Sequence, residues 1–314
     1  MCRRDAYADS EGCCKLKISV IVPTYGEPRY LENTIRSVQN QTYQNWELII
    51  VDDNNPETGA RKATESLVKR FMTEDERIQY IKHPFNRNGA AARNTGIAQA
   101  QGEYIAFLDS DDEYMPQRLE ICLRHLKECD ESVAGVYTGC EFRRQGKTYN
   151  TVSNLKSGNF LIETLACTFM FCTGSNIFVR KSVIDELNGF DESFLRHQDY
   201  EFLVRLFEKY DLQAIPEVLV IKNNENLNVP KTEKIIQIKT QYLEKFKPLI
   251  STLSEEQKKQ IYQSQYLAIA ESGMREKAYK TASVYYKKAK AYGRLSIKTQ
   301  VRKIGFYAKN MLRG

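Results

Sequence analysis

The chain has 314 residues, 42% of them hydrophobic and 27% charged, a balance that excludes a disordered or fibrous chain and allows one large domain with a smaller appendage. No apolar run approaches the roughly 18 residues of a membrane-spanning helix, and residues 1–17 lack the apolar segment of a secretory signal. The net charge of +6 is uneven: residues 277–314 carry eleven Lys and Arg and no Asp or Glu, so the first 276 sum to −5.

Residues 1–16 read as a loose leader. The spacing of the eight Cys matches no CxxC pair or zinc pattern, and the three His are too few for a histidine-rich metal site. Reduced thiols and a cytoplasmic location are the expectation. "ISVIVP" (18–23) is a near-continuous apolar run, the mark of a strand buried on both faces. Pro28 then opens a helix with Leu31, Ile35 and Val38 on one face. "ELIIVDD" (47–53) and "RIQYIK" (77–82) are further strands. A helix of small residues follows at 88–102, then a strand at 103–109 and a helix from Pro116 with Leu119, Cys122, Leu123 and Leu126 inward. This alternation predicts an α/β fold on a mainly parallel sheet flanked by helices, with ligands beyond the carboxyl ends of the strands.

After residue 133 the pattern is mixed. It predicts strands at 132–142, 174–182 and 212–222 and helices at 158–171 and 199–210. Residues 223–230 read as a boundary, followed by a helical C-terminal region that includes a helical hairpin at 266–293. The expected division is therefore leader (1–16), catalytic-type domain (17–222) and helical extension (223–314), basic from 277.

The segment "GEYIAFLDSDDEYMP" (102–116) ends a buried strand in clustered acids. Carboxylates packed this closely repel one another unless a cation joins them. Hard oxygen ligands suit Mg²⁺ or Mn²⁺, and Mg²⁺ commonly pairs one or two protein carboxylates with substrate phosphates. The pattern points to a nucleoside diphosphate site, against the simpler reading of acids capping the next helix. Asp52 and Asp53 end a neighbouring strand and are expected at the same crevice as Asp109, Asp111 and Asp112.

The segments "ISVIVPTYGEPRYLENTIRSVQNQTYQNWELIIVDDNN" and "NGAAARNTGIAQAQGEYIAFLDSDDEYMPQRLE" resemble glycosyltransferase family 2 enzymes of the GT-A fold, from about residue 17 to 222. The motifs stand in the family's order: a P-T-Y turn, a V-D-D, an A-x-R-N-x-G helix and a D-x-D. The resemblance implies that Pro23, Thr24 and Tyr25 line a nucleotide-base pocket and that Asp53 accepts from a uracil imide N–H, making UDP the first nucleotide to test. It further implies that Arg93 approaches the nucleotide or its phosphates, that Asp109 lies near ribose and metal, and that Asp111 ligates a Mn²⁺ or Mg²⁺ ion, with Asp112 a lesser candidate. An inverting transfer also needs a general base opposite the leaving diphosphate. Asp199, in "GFDESFLRHQDYEFLVRL" (189–206), resembles that base, although Gln198 stands where the family usually has glutamate. A second departure is Gly26, where the family often has Asn. The simpler role for Asp199 is capping the helix at 199–210.

Thr173, Gly174, Ser175 and Asn176 resemble the segment beneath the donor sugar. Phe160, Phe169, Phe171 and Tyr200 face either an acceptor sugar or the core, with the core as first expectation. The implied acceptor is a glycan or lipid-linked glycan of bacterial surface polysaccharide synthesis. The basic, tyrosine-rich segment 277–314 is then expected at an anionic membrane surface, at the inner face of the cell membrane, rather than on nucleic acid. The expectation from another class is a non-catalytic nucleotide-sugar binding or scaffold protein.

Overall fold

The structure, a computed structural model, describes residues 16–172, 174–224 and 230–295. Most of the expected leader, Thr173 and the end of the basic segment (296–314) lie outside the described residues. Four strands form the parallel half of a single sheet: β1 (Ile18–Thr24), β2 (Trp46–Asp52), β3 (Ile78–Lys82) and β4 (Tyr104–Phe107), in the spatial order β3-β2-β1-β4. The expected strands are thus found within a residue or two. Their apolar runs are continuous because successive side chains point to opposite faces and both faces are covered. Ile18, Val20 and Val22 enter one core cluster, while Ile21 enters the other.

On the first face lie α1 (Leu31–Gln39), α2 (Gly59–Glu74) and α4 (Arg118–Lys127), which supply Leu31, Ile35, Val68, Phe71, Leu119 and Leu126. Of these, α2 was not anticipated from the sequence. α1 starts three residues after Pro28, which sits in the turn before the helix. On the second face α3 (Gly89–Gln99) packs tightly: a Cβ on Gly96 would lie 2.4 Å from Cγ2 of Ile21.

Beyond β4 the sheet becomes mixed. β5 (Glu113–Tyr114), β6 (Val133–Arg144), β7 (Lys147–Val152), β8 (Phe178–Arg180) and β9 (Asp211–Asn223) complete it, in the order β4-β8-β6-β9-β5 with β7 paired to β6. β8 is antiparallel to both its neighbours, whereas β9 runs parallel to β6. The helix expected at 158–171 is only the five-residue α5 (Leu161–Leu165). The chain turns at Cys167 and Cys172, both with positive φ, and Phe169 and Phe171 enter the core as rings stacked on each other. Aromatic packing, not helical period, explains that apolar run. The strand expected at 174–182 shrinks to β8, because a single helical turn occupies Gly174–Asn176.

α6 (Lys181–Glu186) and α7 (Gln198–Phe207) cover the second face. α8 (Thr232–Thr252) and α9 (Glu255–Arg275) dock on this body: Tyr242, Phe246, Ile250 and Ile261 share a core with Leu165, Phe194 and Val204. α9 opens with a reciprocal capping box between Ser254 and Gln257. With α10 (Tyr279–Ala291) it forms the expected hairpin, closed around Ala270, Met274, Ala282 and Tyr286.

Candidate active site

A cleft of about 810 Å³ opens at the carboxyl ends of β1, β2 and β4. It is lined by Pro23, Thr24, Tyr25, Asp53, Arg93, Asp109 and Asp111, the residues expected at a nucleotide and metal apart from the lesser candidate Asp112, which is buried behind it. A second cleft of about 470 Å³ adjoins it, lined by Asp199, His197, Tyr200, Ile235 and Ile238, and shares Arg93, Asp109 and Gln198 with the first. The two acidic motifs, far apart in sequence, thus flank one continuous depression.

The wall at β1 and β2 is rigid. Asp53 donates its N–H to the Thr24 carbonyl (2.9 Å) just past the last pair of the β1–β2 ladder. The residue is 2% exposed, and its carboxylate accepts from the Asn86 amide (2.7 Å) and the backbone N–H groups of Arg87 (2.8 Å) and Asn88 (2.9 Å), with His83 Nδ1 at 2.7 Å. Four partners occupy the four acceptor positions of a carboxylate. Asp53 therefore clamps the 83–88 loop to the strand end, and a base imide would have to displace one of them. Gly26 holds a φ of +82° in the P-T-Y-G turn and donates its N–H to the Asn54 side chain (2.8 Å). Gly and Asn are the residues that enter that left-handed region most readily, so either suits this position. Tyr25 is 67% exposed at the rim of the cleft. Asp52 does not join the cleft: it lies on the opposite face of the strand, paired to Arg61 (3.2 Å) and bonded by the Tyr80 hydroxyl (2.5 Å).

At the end of β4 the acids separate by role. Asp109 is ion-paired to Arg93 (2.6 Å). Asp112 is fully buried and accepts from Ser175 Oγ (2.6 Å), the Asn223 N–H (3.2 Å) and Lys222 Nζ (3.1 Å). Burial pushes its carboxyl up to about 7, against the pull of Lys222. Asp111 has no ion-pair partner among the described residues; burial raises its carboxyl, opposed by Lys222 and reinforced by Asp109. Carboxylate oxygens of the three lie within 4.8 Å of one another. All are hard oxygen donors, and the most open of them electrostatically, Asp111, lines the cleft. The set fits Mn²⁺ or Mg²⁺.

Across the cleft, α7 carries Asp199 in its first turn. It does not occupy the capping position, which falls to His197 with a left-handed backbone. Burial raises the Asp199 carboxyl, opposed by the Tyr200 N–H bond and by Arg93. A raised carboxyl is suited to taking a proton from an acceptor hydroxyl. His197 lies between Tyr200 and Tyr242 and is pushed down to about 3 by burial, so it is neutral at physiological pH. Gln198, with its amide oriented to satisfy both neighbours, accepts from Arg93 Nη1 (2.7 Å) and donates to the Phe194 carbonyl (3.1 Å). The neutral residue thus steadies Arg93 without a second ion pair. Phe169 and Phe171 are core residues, as first expected, and Phe160 packs against that core, whereas Tyr200 reaches the second cleft.

The sequence did not single out Lys222 or Arg118. Ser175, expected below the sugar, instead links the Asp109 N–H (3.0 Å) to Asp112. Arg118, fully buried, fixes that turn by donating to Thr138 Oγ1 (2.7 Å) and Asn176 Oδ1 (3.2 Å). A charged residue near a helix start ordinarily faces solvent, so only a buried neighbour could have exposed its role.

A sequence model of glycosyl transferase family 2 matches residues 19–187. An uncharacterized glycosyltransferase of Methanocaldococcus jannaschii is 30% identical over 217 residues, 67% of this chain and 72% of that protein. TuaG of Bacillus subtilis, named for teichuronic acid biosynthesis, is 37% identical over 131 residues, 42% of this chain and 49% of its own length. A Campylobacter jejuni protein named GalNAc(5)-diNAcBac-PP-undecaprenol beta-1,3-glucosyltransferase is 29% identical over 182 residues, 55% of this chain and 56% of its own length. The chain thus spans only about half the length of the last two. Among solved structures, S. aureus TarS 1-349 in complex with UDP-GlcNAc superposes with a TM-score of 0.58 at 14% identity, covering 88% of this chain and 91% of that one. The mannosyltransferase PcManGT of Pyrobaculum calidifontis, in complex with GDP-Man and Mn²⁺, gives 0.57 at 17% identity, covering 95% and 81%. At these identities the structures establish the GT-A fold alone.

Proposed function

The chain belongs to glycosyl transferase family 2, and from that premise we propose that it is a metal-dependent, inverting transferase that moves a sugar from a UDP-sugar to a glycan or lipid-linked glycan acceptor. The observation that carries this reading is the pair of adjoining clefts: nucleotide-type residues with Asp109 and Asp111 line one, and the raised carboxyl of Asp199 lines the other. Pro23, Thr24 and Tyr25 take the base, and Asp53 reads its imide N–H in exchange for the Asn86 amide. Arg93 faces the phosphates between Asp109 and Gln198. Asp111 and Asp109 hold a divalent cation, which when bound neutralises charge on the leaving diphosphate. Asp199 takes the acceptor hydroxyl proton from the opposite side as that oxygen attacks the anomeric carbon.

The acceptor class rests on the names of the relatives from Bacillus subtilis and Campylobacter jejuni. The membrane reading concerns the basic segment 277–314, of which 277–295 are described. No described helix is long and apolar enough to cross a membrane. In α10, Tyr285 and Tyr286 pack toward α9, whereas Lys280, Lys287, Lys288 and Lys290 are exposed. Attraction of α10 itself to an anionic surface would therefore be carried by these lysines.

Melting curves with UDP, GDP, CDP and dTDP, each with Mn²⁺ and with EDTA, test the donor assignment, because a ligand bound only by the folded state raises the melting temperature. A rise for UDP that requires Mn²⁺ is the expected result. No rise for any nucleotide would overturn the assignment.

A further inference from the structure

Lys222 is absent from every sequence motif, yet it stands inside the acid cluster. It follows the last β5–β9 pairs, Glu113 with Ile221 and Tyr114 with Val220, so the ladder delivers it beside Asp112. Its Nζ lies 3.1 Å from Asp112 Oδ2, 3.3 Å from Asp112 Oδ1 and 3.8 Å from Asp109 Oδ2. Asp112 is fully buried, and Arg93 already pairs with Asp109 at 2.6 Å. Among the described residues, these three carboxylates face the cations Arg93 and Lys222, and Asp111 alone has no ion-pair partner.

We infer that Lys222 is a built-in counter-cation that makes metal binding depend on the nucleotide: it discharges the cluster and holds Asp112 back, leaving too little negative charge to retain a divalent ion until a diphosphate arrives. The inference rests on the proposed donor site and extends it to the order of binding. Two positive centres in one partly buried cluster repel by an amount equivalent to several factors of ten before solvent and salt reduce it. A diphosphate restores the missing negative charge and supplies oxygen ligands, the usual completion of a Mg²⁺-type site that has only one or two protein carboxylates. A site left with one uncompensated carboxylate also holds stray divalent ions only weakly. Lys222 acts through Asp112 and Asp109 and is a positioning residue.

The test is Mn²⁺ binding to the full chain, followed by the loss of the free-ion electron paramagnetic resonance signal, with and without UDP. Wild-type protein should bind Mn²⁺ at least about tenfold more weakly alone than with UDP. Lys222→Met should tighten binding of Mn²⁺ alone by about tenfold or more, and Lys222→Arg, which keeps the charge, should not. Equal Mn²⁺ affinity of wild type and Lys222→Met, or equal tightening by Lys222→Arg, overturns the inference. Should Lys222→Met fail to fold, the wild-type arm decides: Mn²⁺ held as tightly without UDP as with it overturns the inference. Melting with UDP read in parallel keeps the two ideas apart. If UDP never binds, the donor assignment fails, while the Lys222 effect is still measured with Mn²⁺ alone.

Discussion

In the parallel half of the sheet, β1, β2 and β4 reach the cleft and supply residues at or just past their last ladder pairs: Thr24 and Tyr25, Asp53, then Asp109 and Asp111. In the mixed half no described strand residue lines either cleft. Asp199 comes from the first turn of α7, Ser175 from a single helical turn before β8, and Lys222 from near the end of a strand that meets the acids only by pairing with β5. The first half supplies a regular rim that many sequences could build. The second half sets the charge and geometry of what the rim holds. Substitutions in the mixed half should therefore alter chemistry and stability more than those in the rim turn.

The largest expected effect is that of Asp199→Asn, which should lower turnover about 10²–10⁴-fold while leaving UDP affinity unchanged. Its folded carboxyl is raised above the unfolded value. Native stability from this group is therefore full at low pH and lost as pH rises through the folded value. At neutral pH the variant should melt no lower than wild type. In the wild type kcat/KM should fall on acidification through a value above that of a free aspartate, and a pH profile lacking that limb would remove Asp199 as base. A binding protein with no turnover in either form would make the mixed half a scaffold only.

Arg118→Ala comes second. It removes a buried donor from Thr138 Oγ1, from the Ser175 carbonyl and from Asn176 Oδ1, which keeps the Thr138 N–H, and should cost about 3 kcal/mol by chemical denaturation. A cost near zero would mean that the 174–176 turn is held by something other than this arginine. The smallest effect is in the rim: Gly26→Ala forces a Cβ into a φ of +82° and should cost about 1 kcal/mol, whereas Gly26→Asn should cost less. Equal melting temperatures for both variants would show that the turn relaxes out of the left-handed region.

Legibility divided along the same line. β1, β2 and β4 could be read from their apolar runs, and the acids at their ends from the abrupt change of residue type. A strand covered on both faces has no alternation to obscure it. Asp52 and Asp53 could not be told apart, because which of two successive side chains faces the cleft depends on where the ladder stops. The 158–171 segment misled, because its apolar residues answer to ring packing among Phe160, Phe169 and Phe171 and not to a helical period.

The amino-acid sequence by itself determined the alternating first half, the acid motifs at its strand ends and the family, because each is a local pattern repeated at a fixed spacing. The tertiary structure alone decided that Asp112 is buried on Lys222, that Ser175 and Arg118 brace the acids, and that Gln198 steadies Arg93. Each of these is a contact between residues remote in the chain. Their energy depends on burial and on distances of a few ångströms, and neither has a signature in the order of the residues.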